Sequence, residues 1–469
     1  MTKSKQYITL IIVAVAFLIR FIRLDVPHAW SFDEVYHALS AEAYALNDPR
    51  GYEWWNASPK DLAWEWLHPP LGKLFMATSI KLFATPYIPE SKEAPLTAAT
   101  TFAWRFPGVI FAALTVWLLI RFGDKVFKNY WVGAIAGFLY ALDGLSFVQS
   151  RTGMNDIYVT FFIVLVFYRL YIFLIEYPHH VVKNLAWVGL ASGLAASTKW
   201  SGFYAVAIAF TWGVGFLLKK RAWKKIPLGF LYLALLPVCV YILSYGQWWL
   251  QGHSVNKFIE LHQQIWWYQT GLKATHDYQS KAYTWPILLR PVWYYVKYDD
   301  HFDVQGNKEL WIGNIYTMGN PLIWWAGVGA IGYLLTILVQ KYIVAFILKS
   351  SGKGERAEIK TFIHDLFASG KSNNLGFLIL LVGYFGMFLP WVASPRIMFL
   401  YHYLPSVPFL CLALAYCLVR VAHDRQGKYL VYAYLLLVAL AFIYFYPHWT
   451  GWVLPQKWVN TYYWLKSWK

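Results

Sequence analysis

Residues 7–24 read YITLIIVAVAFLIRFIRL. As a helix this run is long enough for the roughly 30 Å of hydrocarbon in a bilayer, which takes about 20 mostly apolar residues. No small-residue cleavage site follows, so it reads as a retained span and not as a removed signal peptide. Further apolar runs begin near Arg105, Tyr130, Ile157, Leu185, Phe203, Ile226, Pro321, Leu375, Ile397 and Tyr429. That makes about eleven spans, and the chain reads as one all-α integral membrane domain over its whole length. Composition agrees: 58% of residues are hydrophobic, 20% aromatic and 14% charged, whereas soluble domains carry roughly 25% charged residues. A soluble, disordered or fibrous protein is excluded.

The net charge of +17 raises the question of nucleic acid. No basic low-complexity arm is present, so that class is rejected. The excess instead falls in short loops: Lys3 and Lys5; Lys125 and Lys128; Lys219, Lys220, Arg221, Lys224 and Lys225; Lys353, Arg356 and Lys360; Arg420, Arg425 and Lys428. These loops alternate along the spans, which puts them on one face. The positive-inside rule makes that face cytoplasmic, with the N-terminus inside and the C-terminus outside. Lys457, Lys466 and Lys469 run against this pattern. The three cysteines lie in apolar runs and do not suggest a disulfide framework. The polar stretch at 349–374 reads as a cytoplasmic loop with a short amphipathic helix.

Two outer segments, residues 25–101 and 251–320, are too long for simple connectors, and function is expected there. In the first, a helix-like stretch at 32–45 has Val35, Leu39 and Leu46 spaced for an apolar stripe in the interface plane. The second is rich in Trp and Tyr, as interface belts are. Asp33 and Glu34 follow the first span within the run WSFDEVYH at 30–37. Such a pair is either a solvated cap near a helix start or a base held at the membrane boundary. Neighbouring helical residues point about 100° apart, so the two carboxylates do not share one task.

Arg105, Arg151, Lys199 and Arg396 fall at the expected outer ends of four different spans. Charges near membrane depth usually face a cavity and a partner, and four cations together suggest an anion such as a phosphate. His68-Pro69-Pro70-Leu71-Gly72-Lys73 opens a helix-like run to Phe83, with proline suited to a helix start. His68 is open to two readings, a structural histidine or a ligand. The histidines and cysteines show no metal-site spacing, and no phosphate-cradling glycine loop or dinucleotide motif is present, so no cofactor is expected. A divalent ion at Asp33, Glu34 and Asp156 stays open.

The ordered set of motifs resembles the protein O-mannosyltransferases, and their bacterial members in particular. The matching segments are Phe32-Asp33-Glu34-Val35-Tyr36, His68 to Lys73 as above, Arg105-Phe106-Pro107, Ser150-Arg151 with Asn155-Asp156, and Ser197-Thr198-Lys199-Trp200. Beyond them come His276-Asp277-Tyr278-Gln279-Ser280, Thr284-Trp285-Pro286, and Arg396 with Tyr401-His402-Tyr403-Leu404-Pro405. The resemblance implies the glycosyltransferase class C fold and inverting transfer of mannose from a polyprenyl-phosphate carrier to Ser or Thr hydroxyls of a translocated protein. It implies the plasma membrane, with the active site on the extracytoplasmic side. Asp33 then matches the catalytic aspartate, Glu34 a binding or supporting acid beside it, and Arg105 the family's important arginine. Residues 251–320 are too short for the β-trefoil insert of eukaryotic members, which work as dimers; an oligomer is open here.

The chemistry is consistent with these residue types. A lipid phosphodiester is a good leaving group, so it needs cations more than a second acid, unlike the acid and base pair of inverting glycosidases. Asp33 is the candidate base, and Arg105, Arg151, Lys199 and Arg396 are candidates for the phosphate. Glu34, His68 and Asp156 are candidates for sugar hydroxyls or loop order. His276, Tyr278, Trp285 and Arg290 are candidates for the acceptor channel or carrier groove, and His402 is a further substrate-binding candidate. The nearest alternative is a sister enzyme that moves another lipid-linked sugar to a glycolipid such as lipid A. A transporter would show internal symmetry and helices broken near the midplane.

Overall fold

The computed structural model describes residues 2–302, 306, 308–350 and 374–469. The loop expected at 349–374, with Lys353, Arg356 and Lys360, therefore lies almost wholly outside the described residues. The first half of the chain forms α1 (Lys3–Phe21), α2 (Glu34–Leu46), α3 (Leu71–Phe83), α4 (Ala98–Phe127), α5 (Tyr130–Ala141) and α6 (Gly144–Ser150). After them come α7 (Asp156–Glu176), α8 (Val181–Thr198) and α9 (Gly202–Lys219). Further long helical stretches are Trp223–Ser244, Pro321–Ser350, Asn374–Val392, Leu400–Val421 and Arg425–Thr450. Among the described residues nine helices are long and apolar enough to cross a bilayer, or ten if the bent pair α5 and α6 is one span. The sequence expectation was about eleven. The difference is α8, which is helical but carries Lys183, Asn184, Ser192, Ser197 and Thr198 and is not in that set.

The 63° bend between α5 and α6 has a chemical cause. Asp143 sits at the break, and its carboxylate accepts from the Ser146 N–H at 2.9 Å, capping α6, and from the Trp324 indole at 2.7 Å. The carbonyls left over at the end of α5 take hydrogen bonds from Arg20, which donates to Ala141 at 2.9 Å and Tyr140 at 3.4 Å. A cap and a buried cation thus replace the lost helical bonds.

Two expectations need correction. The first is that the protein is all-α. An antiparallel sheet of three strands forms in the order β1, β2, β3, with β1 (Val292–Phe302) and β2 (Lys308–Thr317) from the segment at 251–320 and β3 (Val453–Pro455) from near the C-terminus. Its first strand is the Trp- and Tyr-rich run read as an interface belt; aromatic and β-branched residues suit a pleated surface equally well. The second concerns the apolar stripe expected on the helix at 32–45. α2 forms, beginning at Glu34, but eleven of its thirteen residues are buried and it packs against α3.

Candidate active site

Where the chain leaves α1 it turns back on itself, and two arginines hold that turn. Arg151 donates to the carbonyls of Arg20, Ile22 and Arg23, the last two at 2.8 Å. Arg105, near the start of α4, donates through Nη1 to the carbonyls of Leu24 (3.3 Å), Asp25 (3.1 Å) and Pro27 (2.9 Å), and through Nη2 to Ala29 (3.0 Å). The remaining Arg105 donors form a two-point ion pair with Glu34, Nε to Oε1 and Nη2 to Oε2, each at 2.8 Å. Such fork-shaped pairing fixes orientation as well as charge.

Glu34 is fully saturated. Its Oε1 also accepts from the Trp104 indole at 3.1 Å and the Gly153 N–H at 2.9 Å, and its Oε2 from the Ser31 N–H at 2.8 Å. Both members of the pair are buried, at 1% and 0% exposure. The structure thus brings Glu34 and Arg105 together as an internal clasp, and every Arg105 donor nitrogen is spent on the protein. The Arg151 bonds go likewise to main-chain carbonyls.

Asp33 is different. It stands at the N-cap of α2, yet its side chain makes no capping bond and stays half-buried. Phe32 before it holds φ at 51°, a left-handed conformation that costs a bulky residue about 1–3 kcal/mol. Burial, and next the Glu65 carboxylate, push the Asp33 carboxyl up to about 7; Lys199 and a hydrogen bond with Tyr401 pull the other way. Lys199 forms a buried ion pair with Asp156 at 2.8 and 3.0 Å and lies 5.5 Å over the Tyr401 ring.

Beside these groups is a cavity of about 600 Å³, lined by His68, Lys199, Trp200, Trp391, Arg396 and His402 among others. Burial and the positive charge of Lys199 hold His68 neutral, well below the ordinary histidine range. Its Nδ1 has no partner among the described residues. The Arg396 guanidinium is half-buried, and its one hydrogen bond among the described residues is to the neighbouring Ile397 carbonyl, at 3.2 Å. His402 is packed between Trp285 and Trp391, its Nδ1 turned to the Phe399 carbonyl at 2.9 Å. Gly72 belongs to the His68 motif because α3 passes so close to Asn155 that a β-carbon there would collide with its side chain.

The outer-loop candidates divide. His276 lies against Phe32 and Phe399, with ring centres 6.4 and 5.1 Å away, and its Nδ1 accepts from the Tyr278 N–H. Arg290 instead stacks on Tyr278 and holds the carbonyls of Ser467 (2.8 Å), Lys469 (3.0 Å) and Asp277 (3.1 Å), tying down the tail. The three carboxylates considered for a divalent ion do not converge, since Glu34 faces Arg105 and Asp156 faces Lys199. Sequence reading missed Glu65, Tyr294 and Tyr401 as neighbours of Asp33. Only Tyr401 carried a signal, lying inside a motif already quoted.

Two family profiles match in succession. One, described as dolichyl-phosphate-mannose-protein mannosyltransferase, covers residues 65–269; the other, the C-terminal four-span region of protein-O-mannosyltransferase, covers residues 254–468. A polyprenol-phosphate-mannose–protein mannosyltransferase of Mycolicibacterium smegmatis is 26% identical over 98% of this chain and 92% of its own. Its namesake from Mycobacterium tuberculosis is 26% identical over 86% of this chain and 81% of its own. In structure, the chain is similar to the Saccharomyces cerevisiae protein O-mannosyltransferase Pmt1–Pmt2 complex bound to the sugar donor. That likeness has a TM-score of 0.77 at 16% identity and covers 100% of this chain and 93% of that one. ArnT from Cupriavidus metallidurans bound to undecaprenyl phosphate aligns at a TM-score of 0.53 and 15% identity, over 93% and 70%. The structural matches carry the fold; with the two profiles side by side, the chain belongs to the protein O-mannosyltransferase family.

Proposed function

We propose that this protein transfers mannose, with inversion, from a polyprenyl-phosphate-mannose donor to Ser or Thr hydroxyls of proteins, at the extracytoplasmic face of the plasma membrane. The observation that carries the reading is the contrast between two adjacent acids. Glu34 is locked behind Arg105, while Asp33 is left without a capping bond and feels the charge of Lys199, which lines a cavity together with Arg396. A carboxylate not locked in an ion pair, near Lys199 and the little-engaged Arg396 guanidinium, is what displacement of a polyprenyl phosphate requires.

In this reading Asp33 takes the proton of the acceptor hydroxyl as that oxygen bonds to the anomeric carbon. The bond from that carbon to the phosphate oxygen breaks, and its electron pair stays on that oxygen, so that polyprenyl phosphate, now a monoester, leaves. Lys199 and Arg396 offset the growing charge. Arg105 and Arg151, with their donors taken by main-chain carbonyls and Glu34, hold the turn that presents Asp33. His68, neutral and with an unpartnered ring nitrogen, takes a hydrogen bond with a sugar hydroxyl in this reading, and Asp156 keeps Lys199 in position. His276, Tyr278 and His402 shape the way in.

The orientation is supported by the basic residues. Lys125, Lys128 and the Lys219 to Lys225 group stand at the ends of α4 and α9 away from the Asp33 side, as the positive-inside rule requires. The test of substrate class uses the purified protein in lipid with radiolabelled polyprenyl-phosphate-mannose and a Ser/Thr-rich peptide. Label on the peptide supports the reading. Label on a glycolipid such as lipid A, with none on the peptide, supports the sister-enzyme alternative.

A further inference from the structure

Resting on the assignment of Asp33 as the base, we infer that Tyr294 is a positioning residue, which holds Phe32 in its left-handed conformation and so aims Asp33. Three contacts converge on this one side chain and its backbone. The Tyr294 ring is stacked on Phe32 with centres 4.3 Å apart and planes 3° from parallel. The Tyr294 carbonyl accepts the Phe32 N–H at 3.0 Å. The Tyr294 hydroxyl accepts from the buried Gln149 amide of α6 at 2.6 Å.

The strand is built to make this possible. In the pairing of β1 with β2, Trp293 faces Tyr316 and Tyr295 faces Ile315, so Tyr294 is the extra residue of a β-bulge. A bulged residue is released from the ladder, and its backbone is free to bond elsewhere. Here the released carbonyl meets an N–H that would otherwise be an unpaired donor. The bulge also turns a large side chain inward, where Tyr294 is only 5% exposed. His276, Phe399 and Tyr401 close the other sides of the Phe32 ring edge-on, at 5.9 to 6.4 Å. Phe32 thus sits in a box whose flat wall is Tyr294, and the residue after it is Asp33.

The experiment measures transfer to peptide over a range of donor concentrations up to saturation for Tyr294→Leu and Tyr294→Phe, with Asp33→Asn alongside. A base displaced by about 1 Å loses on the order of 10²-fold in rate. Tyr294→Leu should therefore drop kcat about 100-fold with the donor KM within about twofold. Tyr294→Phe keeps the stack and loses one hydrogen bond, so it should fall by about fivefold or less. Should Tyr294→Leu not fold, Gln149→Leu, which loosens the ring from the hydroxyl end, should lower kcat severalfold without raising the donor KM. A folded Tyr294→Leu enzyme with unchanged kcat, or one whose defect lies wholly in KM, overturns the inference. If Asp33→Asn keeps full activity, the base assignment fails instead, which is a separate result.

Discussion

Asp33 and Glu34 are neighbours in sequence with opposite environments, and the proposed chemistry rests on that contrast. A carboxyl pushed up to about 7 is half ionised near neutral pH. As a base it works only when ionised, so turnover should fall about tenfold for each pH unit below about 6. A rate profile from pH 5 to 9 checks this; a flat profile down to pH 5 contradicts it. The effect on folding has the opposite sense. Because the folded value lies above the ordinary 3.8, the fold favours the neutral carboxyl. This contribution to stability is complete below about pH 4 and is lost as pH rises through about 7.

Among elements, the turn after α1 and the start of α4 are joined by the Glu34–Arg105 clasp. Removing one member of a buried pair leaves an uncompensated charge, at about 3–5 kcal/mol. Arg105→Ala should therefore lower the unfolding midpoint strongly in a thermal melt. Arg396→Ala should leave the melt within about 1 kcal/mol of the unmodified protein, since the guanidinium makes little contact, while weakening donor binding. Reversed outcomes would mean that Arg105 and not Arg396 meets the donor. The importance of Arg105 was legible in the sequence from its position at a span end; its partner, 71 residues away, was not. A span-end cation reads the same whether it faces a phosphate or a carboxylate. The sheet was hidden for a similar reason, because aromatic enrichment marks interface belts and strands alike. The spans themselves were legible, since hydrocarbon thickness leaves a run length little freedom. α8 escaped that rule because much of its surface is buried in protein, where Asn184, Ser192 and Ser197 are tolerated.

At the scale of the molecule, the tail is tied to the sheet and to the segment before it. β3 adds to β2, Arg290 holds the carbonyls of Ser467 and Lys469, and Trp468 is 2% exposed with its indole donating to the Leu288 carbonyl at 2.5 Å. Trp468→Ala should cost about 3 kcal/mol and speed proteolysis of the tail; an unchanged melt and digestion pattern would show the tail to be passive. The hairpin thus meets the tail through β2, and through Tyr294 it meets Phe32, the residue before Asp33. The most direct test compares label transfer from polyprenyl-phosphate-mannose to peptide by the unmodified protein and by Asp33→Asn, each shown to be folded and to bind donor. Loss of about 10²–10⁴-fold in kcat with donor binding kept is the predicted result for a general base; near-normal turnover by Asp33→Asn would contradict the account.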